Sequence, residues 1–167
     1  MGRRLLLSVL ILGAAVSCSS RDDARHTSDG DGRTRVRVAR VVDGDTMHVD
    51  LQGDDVTIRL IGIDTPESVQ PGSPVECFAR RASDYTRERL DGATVDLEFD
   101  LERTDRFGRT LAYVWIGDEL FNGTLVARGY ATVTTFPPNV KYVDEFTDAQ
   151  HEARASGLGV WSACPQG

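Results

Sequence analysis

Thr34-Arg-Val-Arg-Val-Ala-Arg-Val-Val-Asp-Gly-Asp-Thr-Met-His-Val-Asp-Leu-Gln-Gly-Asp-Asp-Val-Thr-Ile-Arg-Leu-Ile-Gly-Ile63 is the stretch that decides the fold. Arg35 to Val42 alternates polar and apolar residues, the two-residue period of a half-buried strand. Asp43-Gly44-Asp45 supplies a turn, and Thr46 to Leu51 alternates again. Gly53-Asp54-Asp55 turns the chain once more, and Val56 to Ile63 forms a third strand with a more continuous apolar end. Three short strands closely spaced between turn signals describe a meander on its way to a barrel.

Downstream, Pro66 to Pro74 holds three prolines and a glycine and reads as a loop. Val75 to Leu90 has helical spacing, with Val75, Phe78, Ala82, Tyr85 and Leu90 near one face, and Asp91-Gly92 ends it. Thr94–Phe99 and Arg109–Ile116 read as strands joined by Asp105-Arg106-Phe107-Gly108. A short helix is expected over Asn122–Arg128 and a longer one over Lys141–Ala155, stopped by Ser156-Gly157. Five strands with a helix between the third and fourth is the order of an OB-fold barrel, so the expected class is α+β, mainly β, with about three helices packed on the barrel.

Upstream, Arg3 and Arg4 precede 12 uncharged residues, Leu5–Val16, and then Ser17-Cys18. A basic start, a short apolar run and small residues before a cut site describe an export signal over 1–17. The run is shorter than the ~20 residues a membrane-spanning helix takes. Small residues directly before Cys18 resemble the bacterial lipobox, with Ala15 where Leu is usual; an ordinary cleaved signal is the alternative. The resemblance implies lipidation at Cys18 and an exported protein anchored to the bacterial cell envelope on its extracytoplasmic side. Residues 18–32 carry no Leu, Ile, Val or aromatic residue after Cys18 and read as a tether. The folded domain is expected over 33–167. Cys77 and Cys164 remain as an even pair in an oxidising compartment, expected as a disulfide closing an ~87-residue loop worth on the order of 4–5 kcal/mol in the ideal entropic account. Two buried free thiols are the alternative.

The chain of 167 residues carries 19 Lys+Arg against 26 Asp+Glu, a net charge of −7. An acidic chain has no long-range field to draw in nucleic acid, which excludes a large DNA-coating surface. A compact site using a few local cations or a bound metal stays open. Composition, 40% hydrophobic and 27% charged, is that of an ordinary globular domain.

Three clusters carry chemistry: Asp43-Gly44-Asp45-Thr46; Arg59-Leu60-Ile61-Gly62-Ile63-Asp64-Thr65-Pro66-Glu67; and Thr104-Asp105-Arg106-Phe107-Gly108-Arg109. Each alone reads as a turn or a capped loop. In the second, strand phase puts Arg59 on the face of Ile61 and Ile63, where a charge belongs only if an anion awaits it. Asp64 and Glu67 lie just beyond, and hard carboxylate oxygens with a backbone carbonyl and waters are a calcium ligand set. The three histidines have no zinc-ligand spacing, and His48 and His151 read as surface residues.

Together, and in this order, the three clusters with Leu111-Ala112-Tyr113 resemble the staphylococcal nuclease family. Glu76, Ala82-Ser83, Leu125-Val126-Ala127-Arg128-Gly129-Tyr130-Ala131 and Gly159-Val160-Trp161 are weaker matches. The resemblance spans Val38 to Trp161. It implies Asp45, Asp64 and the Thr65 carbonyl as calcium ligands, Arg59 and Arg109 as catalytic arginines, and Glu67 as general base. The implied reaction is calcium-dependent hydrolysis of DNA or RNA phosphodiesters leaving 3′-phosphate ends, by a monomer. Arg106-Phe107 replaces the Lys-Tyr of the family's type member, keeping the charge but not the hydroxyl. Phe136 keeps an aromatic in the later base-stacking loop, where Thr134-Thr135 replace another. An OB-fold binding module without catalysis is the alternative; all five of Asp45, Arg59, Asp64, Glu67 and Arg109 being present favours the enzyme.

Overall fold

The computed structural model describes residues 32–68, 72 and 74–164. The expected export signal, Cys18 and the tether up to Asp31 lie outside the described residues. The chain order is β1 (Thr34–Val41), β2 (Thr46–Leu51), β3 (Asp54–Leu60), β4 (Ile63–Asp64), α1 (Ala79–Leu90), β5 (Thr94–Glu98), β6 (Thr110–Ile116), β7 (Glu119–Leu120), α2 (Phe121–Ala127), β8 (Thr132–Val133), α3 (Val143–Ala155) and α4 (Val160–Ala163).

β1, β2 and β3 form the expected meander, and β1 also pairs with β5, which pairs with β6, all antiparallel. A parallel pairing of β3 with β6, Arg59 opposite Leu111, closes the five strands into a barrel. The mainly β barrel with helices packed on it is therefore the architecture expected from the strand order. Val36, Val38, Met47, Val49, Ile58, Leu60, Val95, Leu97, Ala112 and Val114 fill its interior. A register shift in β1 between Val38 and Arg40 resets the alternation. Val41 then points inward instead of Arg40, the use a bulge is suited to.

The third strand is shorter than its sequence pattern. β3 stops at Leu60, and Gly62 at φ +80° turns the chain before β4 resumes at Ile63. Leu60, Ile61 and Ile63 are all buried, so the simple two-face phase across 59–63 does not hold. A Cβ on Gly62 would stand 2.9 Å from the Phe146 ring, which ties this turn to α3. β4 pairs with β8 outside the main sheet.

The first helix begins at Ala79 rather than Val75. Phe78 takes a left-handed conformation at φ 70° and caps it, and Val75 is exposed rather than on the buried face. Ala79, Ala82, Ser83, Thr86 and Leu90 face the barrel, small side chains that let the helix lie close to β1. Tyr85, half-buried, stacks on Tyr130 with ring centroids 4.5 Å apart. α2 packs against α3, with Gly123 admitting the Phe146 ring. The short β7, β8 and α4 segments carry no pattern of their own and were not expected. Cys77 and Cys164 form a disulfide with Cα atoms 5.8 Å apart. Among the described residues no helix is long and apolar enough to cross a membrane.

Candidate active site

Four chain segments meet at one end of the barrel. The β1–β2 turn brings Asp43 and Asp45, β3 brings Arg59, the segment from β4 onward brings Asp64, Thr65 and Glu67, and the turn before β6 brings Arg109. Together with Thr46 and Glu76 they line a cavity of about 280 Å³. The six residues expected to act as catalytic groups or metal ligands are thus gathered in one place, from positions spread over more than sixty residues of sequence.

Each is fixed by its local backbone. The Asp43–Asp45 turn is closed by the Val42 amide donating to the Thr46 carbonyl at 2.9 Å, and the Asp45 carbonyl accepts from Leu60 N at 2.9 Å. The Asp45 carboxylate is buried and accepts from the Thr65 amide (2.8 Å) and the Thr65 hydroxyl (3.0 Å) at Oδ2, and from the Thr46 hydroxyl (3.0 Å) at Oδ1. Gly44 lies against Thr65 so closely that a Cβ would meet its Oγ1 at 2.6 Å. The Gly44 carbonyl accepts from the buried Thr86 hydroxyl of α1 at 2.8 Å.

Arg59 answers the question raised by its place among apolar residues. Its Nη1 donates to the Leu60 carbonyl at 2.7 Å and the Ile63 carbonyl at 2.8 Å, across the Gly62 turn. Its Nη2 lies 2.7 Å from Asp64 Oδ1 and 3.2 Å from Asp45 Oδ2. The guanidinium therefore stands between the two carboxylates, with its side chain only 13% exposed.

Arg109 is set by a self-contained turn. The Asp105 carboxylate accepts from the Phe107 and Arg109 amides, both at 2.9 Å, and from Arg109 Nε at 2.7 Å. Gly108, at φ +81°, lets the chain reverse. Burial works against the Asp105 charge, yet these donors hold its carboxyl below the usual aspartate value. Nη1 and Nη2 of Arg109 remain outside that clamp.

The mouth is rich in negative charge. Burial, then repulsion from Asp45, raises the Asp43 carboxyl to about 6. Asp64 is also raised, by partial burial and by Asp45, Glu76 and Glu67, against the opposing effect of Arg59. Among the described residues no group of three or more His, Cys, Asp or Glu side chains is gathered closely enough to cage a metal ion. The oxygen donors expected to act as metal ligands, the Asp45 and Asp64 carboxylates and the Thr65 backbone, lie among five carboxylates that line the cavity.

A second cavity of about 350 Å³ adjoins the first and shares Arg59 and Arg109 with it. Arg106, Phe107 and Phe136 line it, and the two phenylalanines are largely exposed. The Arg106 guanidinium lies 4.7 Å from the Phe107 ring centroid and that of Arg109 5.5 Å.

Sequence reasoning gave no role to four residues that hold the site together. Buried Asn122 accepts from Val114 N and donates to the Ile61 carbonyl, both at 2.9 Å, pinning the Arg59 turn to β6. Buried Asn139 pairs with both backbone groups of Glu102, at 2.8 and 2.7 Å, closing the floor of the second cavity. Thr86 holds the Gly44 carbonyl, and Glu76 accepts from the Glu67 amide at 2.9 Å. No periodicity marks any of them. His48, expected on the surface, is bonded to Asp55 at 2.6 Å on the far hairpin, away from the site.

Comparison with known proteins agrees with this geometry. The profile of the family described as Staphylococcal nuclease homologue matches residues 57–163. The chain is 48% identical over 124 residues to the Thermonuclease of Staphylococcus intermedius, covering 74% of each chain. It is 44% identical over 126 residues to the Thermonuclease of Staphylococcus hyicus, covering 75% of each. It is 35% identical over 139 residues to Endonuclease YncB of Bacillus subtilis (strain 168), covering 82% of this chain and 66% of that one. With a barrel closed by β3 and β6, paired arginines at its mouth and a profile match over most of the described domain, the chain belongs to the staphylococcal nuclease family.

Proposed function

We propose that this protein is a calcium-dependent nuclease that hydrolyses phosphodiester bonds of DNA or RNA to 3′-phosphate products. The observation that carries the reading is the meeting of Arg59, Arg109 and Glu67 with Asp45 and Asp64 around one cavity. The curated relatives named thermonuclease and endonuclease support it.

The residues present fit a calcium ion by their donor chemistry. Asp45, Asp64 and the Thr65 carbonyl offer hard oxygens, which suit calcium rather than zinc. Five carboxylates (Asp43, Asp45, Asp64, Glu67 and Glu76) face two guanidiniums around the cavity, an excess of negative charge that a divalent cation offsets. When bound, calcium supplies positive charge next to the phosphate and orients a water.

The protein's own groups do the rest. Hydrolysis builds negative charge on the non-bridging phosphate oxygens, and a fixed guanidinium is worth most where that charge develops. Arg59 is pre-set by the Leu60 and Ile63 carbonyls, and Arg109 by Asp105. Both Nη groups of Arg109 lie outside the Asp105 clamp, so its planar fork grips two oxygens at once, which a lysine ammonium cannot do. Arg59, whose Nη groups are engaged by backbone carbonyls and carboxylates, contributes its fixed charge. Glu67 accepts the proton of the attacking water, a contribution typically of 10²–10⁴-fold. The P–O5′ bond breaks opposite that water, and the leaving 5′-oxygen becomes a hydroxyl by taking a proton from solvent. Phe107 and Phe136 offer ring faces for bases, at about 1–3 kcal/mol per stacked base, and Arg106 a cation for a neighbouring phosphate. The protein works as a monomer anchored to the bacterial cell envelope, on its extracytoplasmic side, by lipid on Cys18.

Digestion of plasmid, single-stranded DNA and RNA by the full chain, with calcium and then with excess chelator, tests the function. Cleavage abolished by chelator is expected. Absence of chelator-sensitive cleavage on all three substrates would favour a binding module instead.

A further inference from the structure

Glu67 is the one catalytic candidate that does not sit on a strand or in a self-capped turn, so something else must fix it. Its backbone amide donates to Glu76 Oε2 at 2.9 Å, and its carbonyl accepts from the Glu76 amide at 3.0 Å. One residue, nine positions along the chain, thus engages both backbone groups of Glu67. The carbonyl of the same residue accepts from the Ala79 amide at 3.2 Å, at the start of α1.

Glu76 is itself exposed, and an exposed side chain alone is a poor anchor. The next residue supplies the anchor. Cys77 is bonded to Cys164, which follows directly on α4. α4 is in turn fixed to the end of α2, because the Val160 amide donates to the Gly129 carbonyl at 2.9 Å. The two backbones meet there so closely that a Cβ on Gly129 would stand 2.3 Å from the Leu158 carbonyl oxygen. An unbroken path of covalent and hydrogen bonds runs from the packed helices, through the disulfide, to the Glu67 backbone.

Charge makes the presence of Glu76 informative. It lines the same cavity as Arg59 and Arg109 and adds to the repulsion felt by Asp64. A carboxylate at the mouth of a site for a polyanion opposes substrate binding, so its benefit must lie elsewhere. We propose that Glu76 is a positioning residue that sets the backbone of Glu67 for water activation, and that the Cys77–Cys164 disulfide holds Glu76 in place. This rests on the hydrolytic reading above.

The geometry needs an acceptor at Glu76, not a charge, which separates positioning from electrostatics. In the full chain, Glu76→Ala should lower kcat on single-stranded DNA about 10- to 100-fold with KM unchanged, the cost typical of a misplacement near 1 Å. Glu76→Gln keeps an acceptor oxygen and should restore most of kcat. In a Glu67→Gln background, Glu76→Ala should have no further effect. Amide hydrogen exchange at Glu67 should quicken in Glu76→Ala and in Cys77→Ala/Cys164→Ala, while exchange in the barrel strands keeps its order.

Wild-type kcat in Glu76→Ala, an equal loss in Glu76→Gln, or a loss that persists in the Glu67→Gln background would overturn the proposal. Unchanged exchange at Glu67 in both variants would also overturn it. That exchange measurement does not depend on turnover. A wild-type chain that cleaves nothing would therefore sink the hydrolytic reading, and the exchange data would still decide whether Glu76 and the disulfide hold Glu67.

Discussion

Replacing Gly44 with alanine tests how tightly the Asp45 carboxylate is held. The new Cβ would lie 2.6 Å from Thr65 Oγ1, 2.7 Å from its Cγ2 and 2.8 Å from its Cβ. Ordinary contact begins near 3.4 Å, so Thr65 must retreat by about 0.8 Å. It cannot do so by rotating its side chain alone, because its own Cβ is among the clashing atoms. Moving it disturbs the 2.8 and 3.0 Å bonds from Thr65 to Asp45. Overpacking costs about 1–3 kcal/mol, and a lost hydrogen bond to a charged group about 1.5–3 kcal/mol. The two overlap, since breaking the bond relieves the clash, and a destabilisation of about 3 kcal/mol is expected. A shift of this size at Asp45 and Thr65 should also reduce turnover about 10²-fold. Urea unfolding and kcat at saturating calcium measure the two effects. Gly53→Ala is the control: Gly53 has φ +92° on the distal hairpin with open space around it. That variant should lose about 1–2 kcal/mol through backbone strain and keep its turnover. Wild-type turnover in Gly44→Ala, or an equal loss in Gly53→Ala, would refute the reasoning.

Arg59→Lys and Arg109→Lys should each lower kcat about 10²–10³-fold while the barrel persists by circular dichroism; near-normal turnover in either removes that arginine from the reaction. Asn122→Ala leaves the Val114 amide and Ile61 carbonyl unpaired in the interior, at about 1–3 kcal/mol each, so urea unfolding should show a loss near 4 kcal/mol. A loss under about 1 kcal/mol would mean that water or a backbone shift replaces both bonds. Because the folded-state carboxyl of Asp105 is lowered, its charge stabilises the fold above the ordinary aspartate value of 3.8. That contribution fades as pH falls through the lowered folded value. The stability gap between wild type and Asp105→Asn should therefore be full at pH 7 and shrink in acid; a gap independent of pH contradicts the clamp on Arg109.

What the sequence reveals of this fold follows from the range of the forces involved. The alternation of Val36, Val38, Met47 and Val49 marks β1 and β2 because burial on one face is a local, periodic property. The irregular step at Ala39-Arg40 does not read as a bulge, because the alternation resumes on the other side of it. The pattern from Val56 to Ile63 misleads because the turn at Gly62 depends on partners far away in sequence. Phe146 fills the space beside Gly62, and Asn122 holds the Ile61 carbonyl. The start of α1 shifts from Val75 to Ala79 for a similar reason. Glu76 and Cys77 are committed to Glu67 and Cys164, so those residues follow the site and the disulfide rather than the helix. The residues expected to line the cavity stand out in the sequence through their joint order, whereas Asn122, Asn139, Thr86 and Glu76 act by one or two hydrogen bonds each to backbone groups of other segments, which leave no mark on composition or periodicity.

Acidity and a polyanionic substrate are reconciled at short range. The barrel mouth concentrates two guanidiniums and a set of hard oxygens in one cavity, so local cations do what a global field cannot. Binding should accordingly be weak, salt-sensitive and dependent on metal. The most direct measurement is incubation of a 5′-labelled oligonucleotide with the full chain, in calcium and in chelator, followed by analysis of the new ends. Calcium-dependent hydrolysis should give products only in calcium, each with a 3′-phosphate removable by phosphatase. Products formed equally in chelator, or ending in 3′-hydroxyl, would contradict it.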